Sequence, residues 1–407
     1  MIVYESKLEG TRQQYGQLDA AIRTGRFVRN SIIRAWMDKQ VKSRNDAYKY
    51  CKVLADNPDV PWAKKLNSMA RQAHAERAWA SIERFYRNVG AKIKGKKGFP
   101  KFAKYKTRAS VEYKTSGWKL SDCRRYIKFT DGFKAGDFKL WGTRDLHFYQ
   151  LSQIKRVRVI RRCDGYYAQF LLDVDRRVEK ELTGVQRGLD VGLNHFYTDN
   201  FGNKVNNPRF LRKNERKLKR LQRRLSRTEK NSSNRKKARN RLGRAHLKVS
   251  RRRNDWVCKL AHHVIKSSDL LAIENLQVRN MVKNHKLAKS INDVSWRKFR
   301  EWLEYFGIVY GVPVIAVNPS YTSINCSNCG EPVIKTLSTR THCCNSCFYV
   351  ADRDENAARN ILKTSLKQLS DTVGRTEINN ASEENDLCSD VETQPSKSAR
   401  RKRKPLK

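Results

Sequence analysis

The sequence predicts a multidomain α/β protein, and three features of the 407-residue chain support this class. Residues 1 to about 95 carry apolar residues at spacings of three and four, which is typical of amphipathic helices. From about 105 to 185 the apolar pattern shifts towards that of β-strands. Two cysteine pairs nearer the C-terminus indicate a small metal-binding module. A chain of this length is expected to form two or three domains.

The charge balance narrows the class of partner. The chain contains 87 Lys and Arg residues against 40 Asp and Glu residues, a net charge of +47. This excess favours a polyanionic partner, nucleic acid first and an anionic membrane surface second. The longest apolar run, roughly 305–317, is too short to span a bilayer, and residues 1–10 lack the apolar segment of a signal peptide. We therefore expect a cytosolic protein without membrane insertion.

Glycine, proline and strand patterns divide the first half of the chain. The helical pattern ends at GKKGFPKF (95–102), which Gly and Pro interrupt. Further on, VRVIRR and YYAQFLLDV flank a CDG turn at Cys163–Gly165, which predicts a β-hairpin. The segment RGLDVGLNHFYTDNFGNKV predicts two more strands that turn at Asn200–Asn203. Two short strands and a helix are expected within 270–317.

Residues 209–253 form a strongly basic segment. Of these 45 residues 21 are Lys or Arg, and two glutamates oppose them. Leucines at helical spacing predict two long helices, interrupted by SSN at 232–234. A solvated charged face is the simpler explanation, but ion pairs along a helix need acids that are scarce here. We therefore expect contact with nucleic-acid phosphates. The candidate contact residues are Lys217, Arg220, Arg223 and Arg224.

Five of the ten cysteines lie between 326 and 347, and this clustering favours metal binding over disulfides. CSNC (326–329) and CNSC (344–347) are C-x-x-C pairs separated by 14 residues, close to the spacing of a zinc ribbon. The predicted ligands of one structural Zn²⁺ ion are Cys326, Cys329, Cys344 and Cys347. Cys343 is left over, because Cys344 gives the two-residue gap. Chance pairs or a redox C-x-x-C are the alternative.

Three acidic residues stand out because each lies in an apolar element. Asp190 falls within the strand pattern RGLDVGL, Glu274 ends the apolar run LLAI, and Asp354 belongs to DRDENAARNIL. Burial of an unpaired carboxylate is costly, although a strand-end Asp190 that caps a turn is a simpler explanation for that residue. Carboxylates are the ligands of Mg²⁺, and two such ions about 4 Å apart promote in-line hydrolysis of a phosphodiester. The acids therefore predict a magnesium site.

The two aspartates of DRDENAARNIL are distinguished by helical phase. Asp352 and the glutamate three residues later fit a capping box, so Asp352 is expected at the N-cap of a helix. Asp354 lies three, four and seven residues before Ala357, Ala358 and Ile361, so it shares their core-facing side. The predicted metal ligand in this segment is therefore Asp354.

The order of these motifs resembles the RuvC-type nuclease of the TnpB family. Members of this family are insertion-sequence-encoded, RNA-guided DNA endonucleases related to type V CRISPR effectors. GLDVGLNHF, AIENL, YTSINCSNCG and DRDENAARNIL are similar to the family's signatures, and GKKGFPKF is similar to its segment before the wedge domain. The resemblance covers about 10–370. It implies that Asp190, Glu274 and Asp354 are catalytic and hold two Mg²⁺ ions, and that the four cysteines bind zinc.

The resemblance also implies a domain organisation. The fold is an RNase H-like (RuvC) nuclease core with an inserted zinc ribbon, plus an N-terminal β-barrel wedge domain that carries a helical recognition insertion. The expected boundaries are 1–10 and 100–185 for the wedge domain, 11–99 for the recognition insertion, 186–321 and 351–370 for the nuclease core, 322–350 for the zinc ribbon, and 371–407 for a disordered basic tail.

The implied partners are a structured guide RNA and target double-stranded DNA. The guide comes from a transposon end, and the wedge domain and recognition insertion are expected to read a short motif beside the target. One monomer per guide RNA is expected, in the prokaryotic cytosol or nucleoid.

Three alternative functions stay open at this point. The first is a compact type V CRISPR effector, whose guide comes from a repeat array. The second is a cleavage-idle, RNA-guided DNA-binding regulator, against which the three intact acids count. The third is a zinc-ribbon RNA-binding protein without a nuclease site. The tail ends in SARRKRKPLK, which is expected to be an RNA-binding arm or a nuclear address.

Overall fold

The computed structural model describes residues 2–93, 95–104, 110–142, 146–336 and 338–385. The chain divides into two compact units. The first comprises Met1–Arg176 with Glu215–Val249, and the second comprises Arg177–Asn214 with Ser250–Lys407. Each unit has its own hydrophobic core, so the multidomain α/β class is confirmed.

Three helices occupy the N-terminal part of the first unit, as the apolar spacing predicts. They are α1 (Arg12–Met37), α2 (Arg44–Asp56) and α3 (Ser68–Gly90). Thr11 and Ser43 begin α1 and α2 with capping boxes, which satisfy backbone N–H groups at the helix N-termini. The helices pack through fully buried side chains such as Val28, Ile32 and Ala78.

A seven-stranded antiparallel sheet forms the rest of this core, in the order β2-β6-β7-β1-β5-β4-β3. The strands are β1 (Ile2–Glu9), β2 (Ser110–Tyr113), β3 (Trp118–Leu120), β4 (Tyr126–Phe129), β5 (Gly136–Trp141), β6 (Ile154–Arg162) and β7 (Gly165–Leu172). The predicted hairpin at Cys163–Gly165 is confirmed by β6 and β7. Among the described residues no ladder joins the edge strands β2 and β3, so closure into a barrel stays a prediction.

The second unit is built on a five-stranded sheet in the order β10-β9-β8-β11-β12. The strands are β8 (Gln186–Asp190), β9 (His195–Asp199), β10 (Lys204–Asn206), β11 (Leu270–Glu274) and β12 (Val314–Val317). β8, β11 and β12 run parallel, and β9 pairs with β8 antiparallel. The predicted turn at Asn200–Asn203 is confirmed, but RGLDVGLNHFYTDNFGNKV forms three strands where two were expected.

The remaining elements correct several predicted boundaries. They are α4 (Phe210–Ser226), α5 (Ser233–Lys266), α6 (Val278–Met281), α7 (His285–Val294), α8 (Trp296–Tyr310), β13 (Thr341–Cys343), β14 (Val350–Asp352) and α9 (Arg353–Asn385). The two basic helices are confirmed, and the second begins within the predicted SSN interruption. Three helices, not one, connect β11 to β12.

The last helix contradicts part of the predicted disordered tail. It continues past 370 to Asn385, because this polar stretch contains no proline to stop a helix that the core has already nucleated. Residues 386–407 of that predicted tail lie outside the described residues. Within the described part of the chain, no helix combines the length and apolar character needed to cross a membrane.

Candidate functional site

Two of the three predicted acids lie side by side at one edge of the five-stranded sheet. Asp190 is the last residue of β8 and Glu274 is the last residue of β11. These strands are parallel, and Leu189 pairs with Ile273, so the next residue of each strand is an acid at the same level. Residues at matched positions of neighbouring strands point to the same face. The carboxyl ends of parallel strands are where α/β proteins place their ligands.

The third acid reaches this edge because α9 packs directly against β8. A Cβ atom added at Gly188 would lie 2.2 Å from the carbonyl oxygen of Ala358, so only glycine permits this approach. Gly188 and Asp190 share one face of the strand, and Asp354 lies one helical turn before Ala358. The helix therefore directs Asp354 towards the two strand-end acids, as its predicted phase requires.

The pKa values of Asp190 and Glu274 respond to burial and, for Asp190, to neighbouring acids. Burial, the neighbouring Glu274 and Asp354 raise the pKa of Asp190 well above its usual 3.8. Burial also raises the pKa of Glu274, although the Thr322 hydroxyl, which donates to its Oε1 atom at 2.6 Å, acts in the opposite direction. Desolvated carboxylates that repel one another are the electrostatic setting that a bound divalent cation relieves.

Two arginines contact the carboxylate of Asp354. Its Oδ1 atom lies 3.2 Å from Nε of Arg353, and its Oδ2 atom lies 3.9 Å from a guanidinium nitrogen of Arg340. The sequence did not indicate the second contact because Arg340 precedes β13, the strand that pairs with the one before α9. The two guanidinium groups therefore lie beside the Asp354 carboxylate.

Asp352 has a different structural role, as predicted. Its Oδ1 atom accepts the backbone N–H groups of Asp354 at 2.9 Å and Glu355 at 3.4 Å, which is the geometry of an N-cap. Burial raises the pKa of Asp352, but the Lys204 ammonium 2.6 Å from its Oδ2 atom and the cap hydrogen bonds outweigh this and lower the pKa. The negative charge of Asp352 is therefore balanced within the fold by Lys204 and the helix cap.

The four predicted cysteine ligands form a compact cluster. All four sulfur atoms lie within 4.8 Å of one another. The Cys326–Cys347 and Cys329–Cys344 sulfur pairs are each 3.6 Å apart, close to the separation of about 3.8 Å in a tetrahedral zinc site with Zn–S bonds of about 2.3 Å. Cys343 is exposed on β13, where it pairs with Val350. The cluster fits a structural zinc ion.

The three carboxylates offer a different set of donor atoms from the four sulfurs. Within the described residues, the four cysteines are the one group of three or more potential ligand side chains arranged this tightly. Asp190, Glu274 and Asp354 supply only oxygen atoms, the donors that Mg²⁺ prefers. Their donor chemistry and the repulsion of Asp190 by its acidic neighbours fit divalent cations.

A cavity of about 700 Å³ adjoins the acids within the second unit. Glu274 and Val191 lie on its wall, together with side chains from the helices that connect β11 to β12. Its basic residues are Arg279, Arg297, Lys298 and Arg300. Two of them are paired with glutamates one turn further along α8. The cavity therefore reaches Glu274 at the carboxylate edge, and its wall carries both basic and acidic side chains.

The basic candidates on α4 are solvent-exposed. Leu218 turns inward and is buried, whereas Lys217, Arg220, Arg223 and Arg224 are all exposed. Their exposure meets the first requirement for phosphate contact. Their role in binding stays a prediction.

Three polar residues of the site were not identified from the sequence. Thr322 contacts Glu274, and Asn356 and Asn360 bind the backbone around it. The two asparagines are four residues apart on α9 and both are buried, at 0% and 8% exposure. The signal in the sequence was a pair of asparagines at helical spacing next to the apolar positions of the same helix. Amide side chains that become buried need hydrogen-bond partners.

Two family models match most of the second half of the chain. The model described as "Probable transposase" (OrfB_IS605) matches residues 169–285. The model described as "Cas12f1-like, TNB domain" matches residues 296–361. The first match includes Asp190 and Glu274, and the second includes the cysteine cluster and Asp354.

Curated relatives extend the similarity over nearly the whole chain. A putative RNA-guided DNA endonuclease of Streptomyces pristinaespiralis is 31% identical over 369 residues, which cover 90% of this chain and 83% of that protein. The putative RNA-guided DNA endonuclease InsQ of Escherichia coli (strain K12) is 29% identical, with 76% and 75% coverage.

A solved structure shares the fold. The protein of a Cas12f1–sgRNA–target DNA complex is 14% identical and matches with a TM-score of 0.50 over 86% of this chain and 81% of that chain. The fold and the site thus define a mixed α/β protein with acids at a sheet edge and a four-cysteine module. The chain belongs to the TnpB family.

Proposed function

We propose that this protein is an RNA-guided, Mg²⁺-dependent endonuclease that cleaves double-stranded DNA beside a short target-adjacent motif. The observation that carries the proposal is the convergence of Asp190, Glu274 and Asp354 on one sheet edge, in a chain of net charge +47. Two of its curated relatives are named as putative RNA-guided DNA endonucleases. A cationic protein has little reason to gather buried carboxylates except to hold cations.

In this proposal the three acids are the catalytic residues. Two Mg²⁺ ions held there would activate the attacking water and stabilise the leaving oxygen of the phosphodiester. Asp190 is influenced by the charges of both other acids and is the group we expect to serve both ions. Arg353 and Arg340 contact the Asp354 carboxylate and would orient it.

The remaining elements supply recognition. The exposed cations of α4 would bind guide RNA or the guide–target duplex through phosphates. The seven-stranded sheet and α1–α3 would form the wedge domain and recognition insertion that contact the target-adjacent motif. The zinc site would be structural, since four protein thiolates leave no open coordination position. One monomer would bind one guide RNA.

Removal of the Asp190 charge tests the metal site without a cleavage assay. Because the folded-state pKa of Asp190 is raised, its ionisation opposes folding as the pH rises above 3.8. We expect Asp190→Asn to melt at a higher temperature than wild type in EDTA, by a margin that widens from acid to neutral pH. Mg²⁺ at 100 times its Kd should stabilise the wild type by about 2.7 kcal/mol and Asp190→Asn far less. Differential scanning calorimetry measures both effects.

Asp352→Asn is the matched control, because asparagine keeps the helix cap. It should retain the Mg²⁺-induced rise in melting temperature. Equal Mg²⁺ stabilisation of wild type and Asp190→Asn would place the cation elsewhere and refute the carboxylate site.

The basic surface is tested by the salt dependence of guide RNA binding. Replacing Lys217, Arg220, Arg223 and Arg224 with glutamine should lower the slope of log affinity against log salt concentration by about 3, since each lost phosphate contact contributes about 0.7–0.9. Filter binding over a series of salt concentrations gives the slope. Glutamines at four exposed lysines on other elements, Lys259, Lys266, Lys363 and Lys367, control for net charge. An equal change in both variants would mean that α4 is a solvated face.

A compact type V CRISPR effector is a second candidate. The TNB-domain match and a 26% identity over 222 residues to the CRISPR-associated endodeoxyribonuclease Cas12f2 of a Micrarchaeota archaeon favour it. The two functions share the site and differ in the source of the guide. The DNA beside the coding sequence distinguishes them, since it contains either a transposon end or a repeat array.

A further inference from the structure

Glu274 is held by a side chain from outside the sheet. The hydroxyl of Thr322 donates to Glu274 Oε1 at 2.6 Å, a short bond of the charge-assisted kind. Thr322 is 5% exposed and follows β12, the strand that pairs with the strand carrying Glu274. The hydrogen bond fixes the rotamer of the carboxylate and uses one of its oxygens, which leaves Oε2 to face a ligand.

Thr322 is in turn fixed by the last helix. The side-chain amide of Asn360 donates to the carbonyl oxygen of Thr322 at 2.9 Å and to that of Asn325 at 2.7 Å. Asn360 therefore clamps both ends of the short turn that leads into the first cysteine pair. Because α9 also carries Asp354, one helix positions one acid directly and a second acid through Thr322.

The same network reaches the cysteine cluster. The amide of Asn356 donates to the carbonyl oxygen of Asn325 at 2.8 Å, and its Oδ1 atom accepts the N–H of Ser327 at 2.9 Å. Ser327 lies inside the C-x-x-C turn that begins at Cys326. Asn356 is fully buried, so its side-chain amide would lose these hydrogen bonds without replacement by water if the turn moved.

We infer that Thr322 is a positioning residue for Glu274, and that Asn356 and Asn360 couple the cysteine cluster to the geometry of the carboxylate site. This inference rests on the proposed function, because it assigns the acids to a cation. Zinc at the four thiolates fixes the turn at 326–329, the asparagines transmit that position to Thr322, and Thr322 fixes Glu274. The cysteine cluster thereby affects metal binding at a site to which it contributes no ligand.

The first test compares Thr322→Val with Thr322→Ser. Valine keeps the shape of threonine but removes the donor, whereas serine keeps the donor. Mn²⁺ affinity, measured by calorimetry on the full chain, should fall about 10-fold or more in Thr322→Val, as for other residues that orient a metal ligand, and should recover in Thr322→Ser. Cleavage by Thr322→Val should recover at high metal concentration. Zinc content should stay at one per chain in both variants, which shows that the cysteine module is intact.

Asp190→Asn separates failure of this inference from failure of the proposed function. If wild type binds Mn²⁺ and Asp190→Asn does not, the carboxylate site exists, and unchanged Mn²⁺ affinity in Thr322→Val then refutes the positioning role alone. If Mn²⁺ affinity is the same in wild type and Asp190→Asn, the carboxylate site itself is wrong and the inference fails with it.

The second test uses the reciprocity of thermodynamic coupling. If zinc strengthens cation binding at the acids, then cations at the acids must strengthen zinc binding by the same factor. Saturating Mg²⁺ should therefore lower the fraction of zinc removed at equilibrium by a zinc-selective chelator in the wild type, and much less so in Thr322→Val. Equal Mg²⁺ protection in the two proteins, or no protection in the wild type, would overturn the coupling.

Discussion

We expect Asp354→Ala to abolish Mg²⁺-dependent DNA cleavage by the guide-loaded protein and Asp352→Ala to keep it. Asp354 faces the sheet edge that holds Asp190 and Glu274, so in the proposed site its loss would remove a cation ligand. Cations in such sites contribute several kcal/mol to the transition state, which corresponds to a rate loss of about 10³-fold or more. Asp352 caps the helix and pairs with Lys204, so its loss costs about 1 kcal/mol of stability.

A cleavage assay on both variants checks this prediction, with target binding measured by gel shift. Asp354→Ala should bind target DNA as the wild type does, since only the reacting edge has changed. Robust cutting by Asp354→Ala would refute the three-acid site. Loss of cutting in Asp352→Ala alone, with its fold retained, would show that the cap residue is the ligand.

Loss of one zinc thiolate has the second-largest expected effect. Cys326→Ser and Cys347→Ser should each release zinc, because a hydroxyl does not replace a thiolate in a tetrahedral four-sulfur shell. Structural zinc sites contribute about 10–16 kcal/mol of apparent binding free energy, so the cysteine module should unfold locally and cleavage should fall. Metal analysis of the purified proteins and their melting curves provide the measurement.

Cys343→Ser is the matched control for the cysteine variants. Cys343 is adjacent in sequence to a predicted ligand, but it is exposed on β13. Its zinc content should remain near one per chain. Equal zinc loss in the Cys343, Cys326 and Cys347 variants would show that the adjacent cysteines exchange roles in solution.

The acids could be found from the sequence because they break local rules. Asp190 and Glu274 end apolar strands, where an unpaired charge is costly unless something neutralises it. Asp354 could be selected from the helical period and from the cap at Asp352, and the structure contains both the cap and the helix packed against the sheet. The C-x-x-C spacing is likewise local. Each of these signals lies within a few residues of chain.

Tertiary relations were beyond the reach of local patterns. β1 pairs with β7, more than 150 residues away, and periodicity contains no information about such a partner. The resemblance to the TnpB family, not the apolar pattern, led to the grouping of residues 1–10 with residues 100–185. Arg340 and Thr322 were missed for the same reason, since each meets its acid only after the sheet and α9 are assembled.

The three helices between β11 and β12 show a further limit of periodicity. Ser295 adopts a left-handed conformation, with φ of 64°, and both ends α7 and precedes α8. A left-handed conformation is uncommon for a residue other than glycine. Because serine occupies this position, no glycine or proline marks the break between the two helices in the sequence. The helix boundaries there follow from packing rather than from a turn signal.

The most direct test of RNA-guided cleavage is a retargeting experiment on the purified complex. The protein is isolated from cells that express its native locus, the co-purifying RNA is sequenced, and its guide segment is replaced with one that matches a plasmid library carrying random flanking motifs. We predict that Mg²⁺-dependent cuts appear only in plasmids that match the new guide and share one short flanking motif, and that Asp354→Ala produces none. Cleavage that ignores the guide sequence, or purification without a defined RNA, would contradict the proposal.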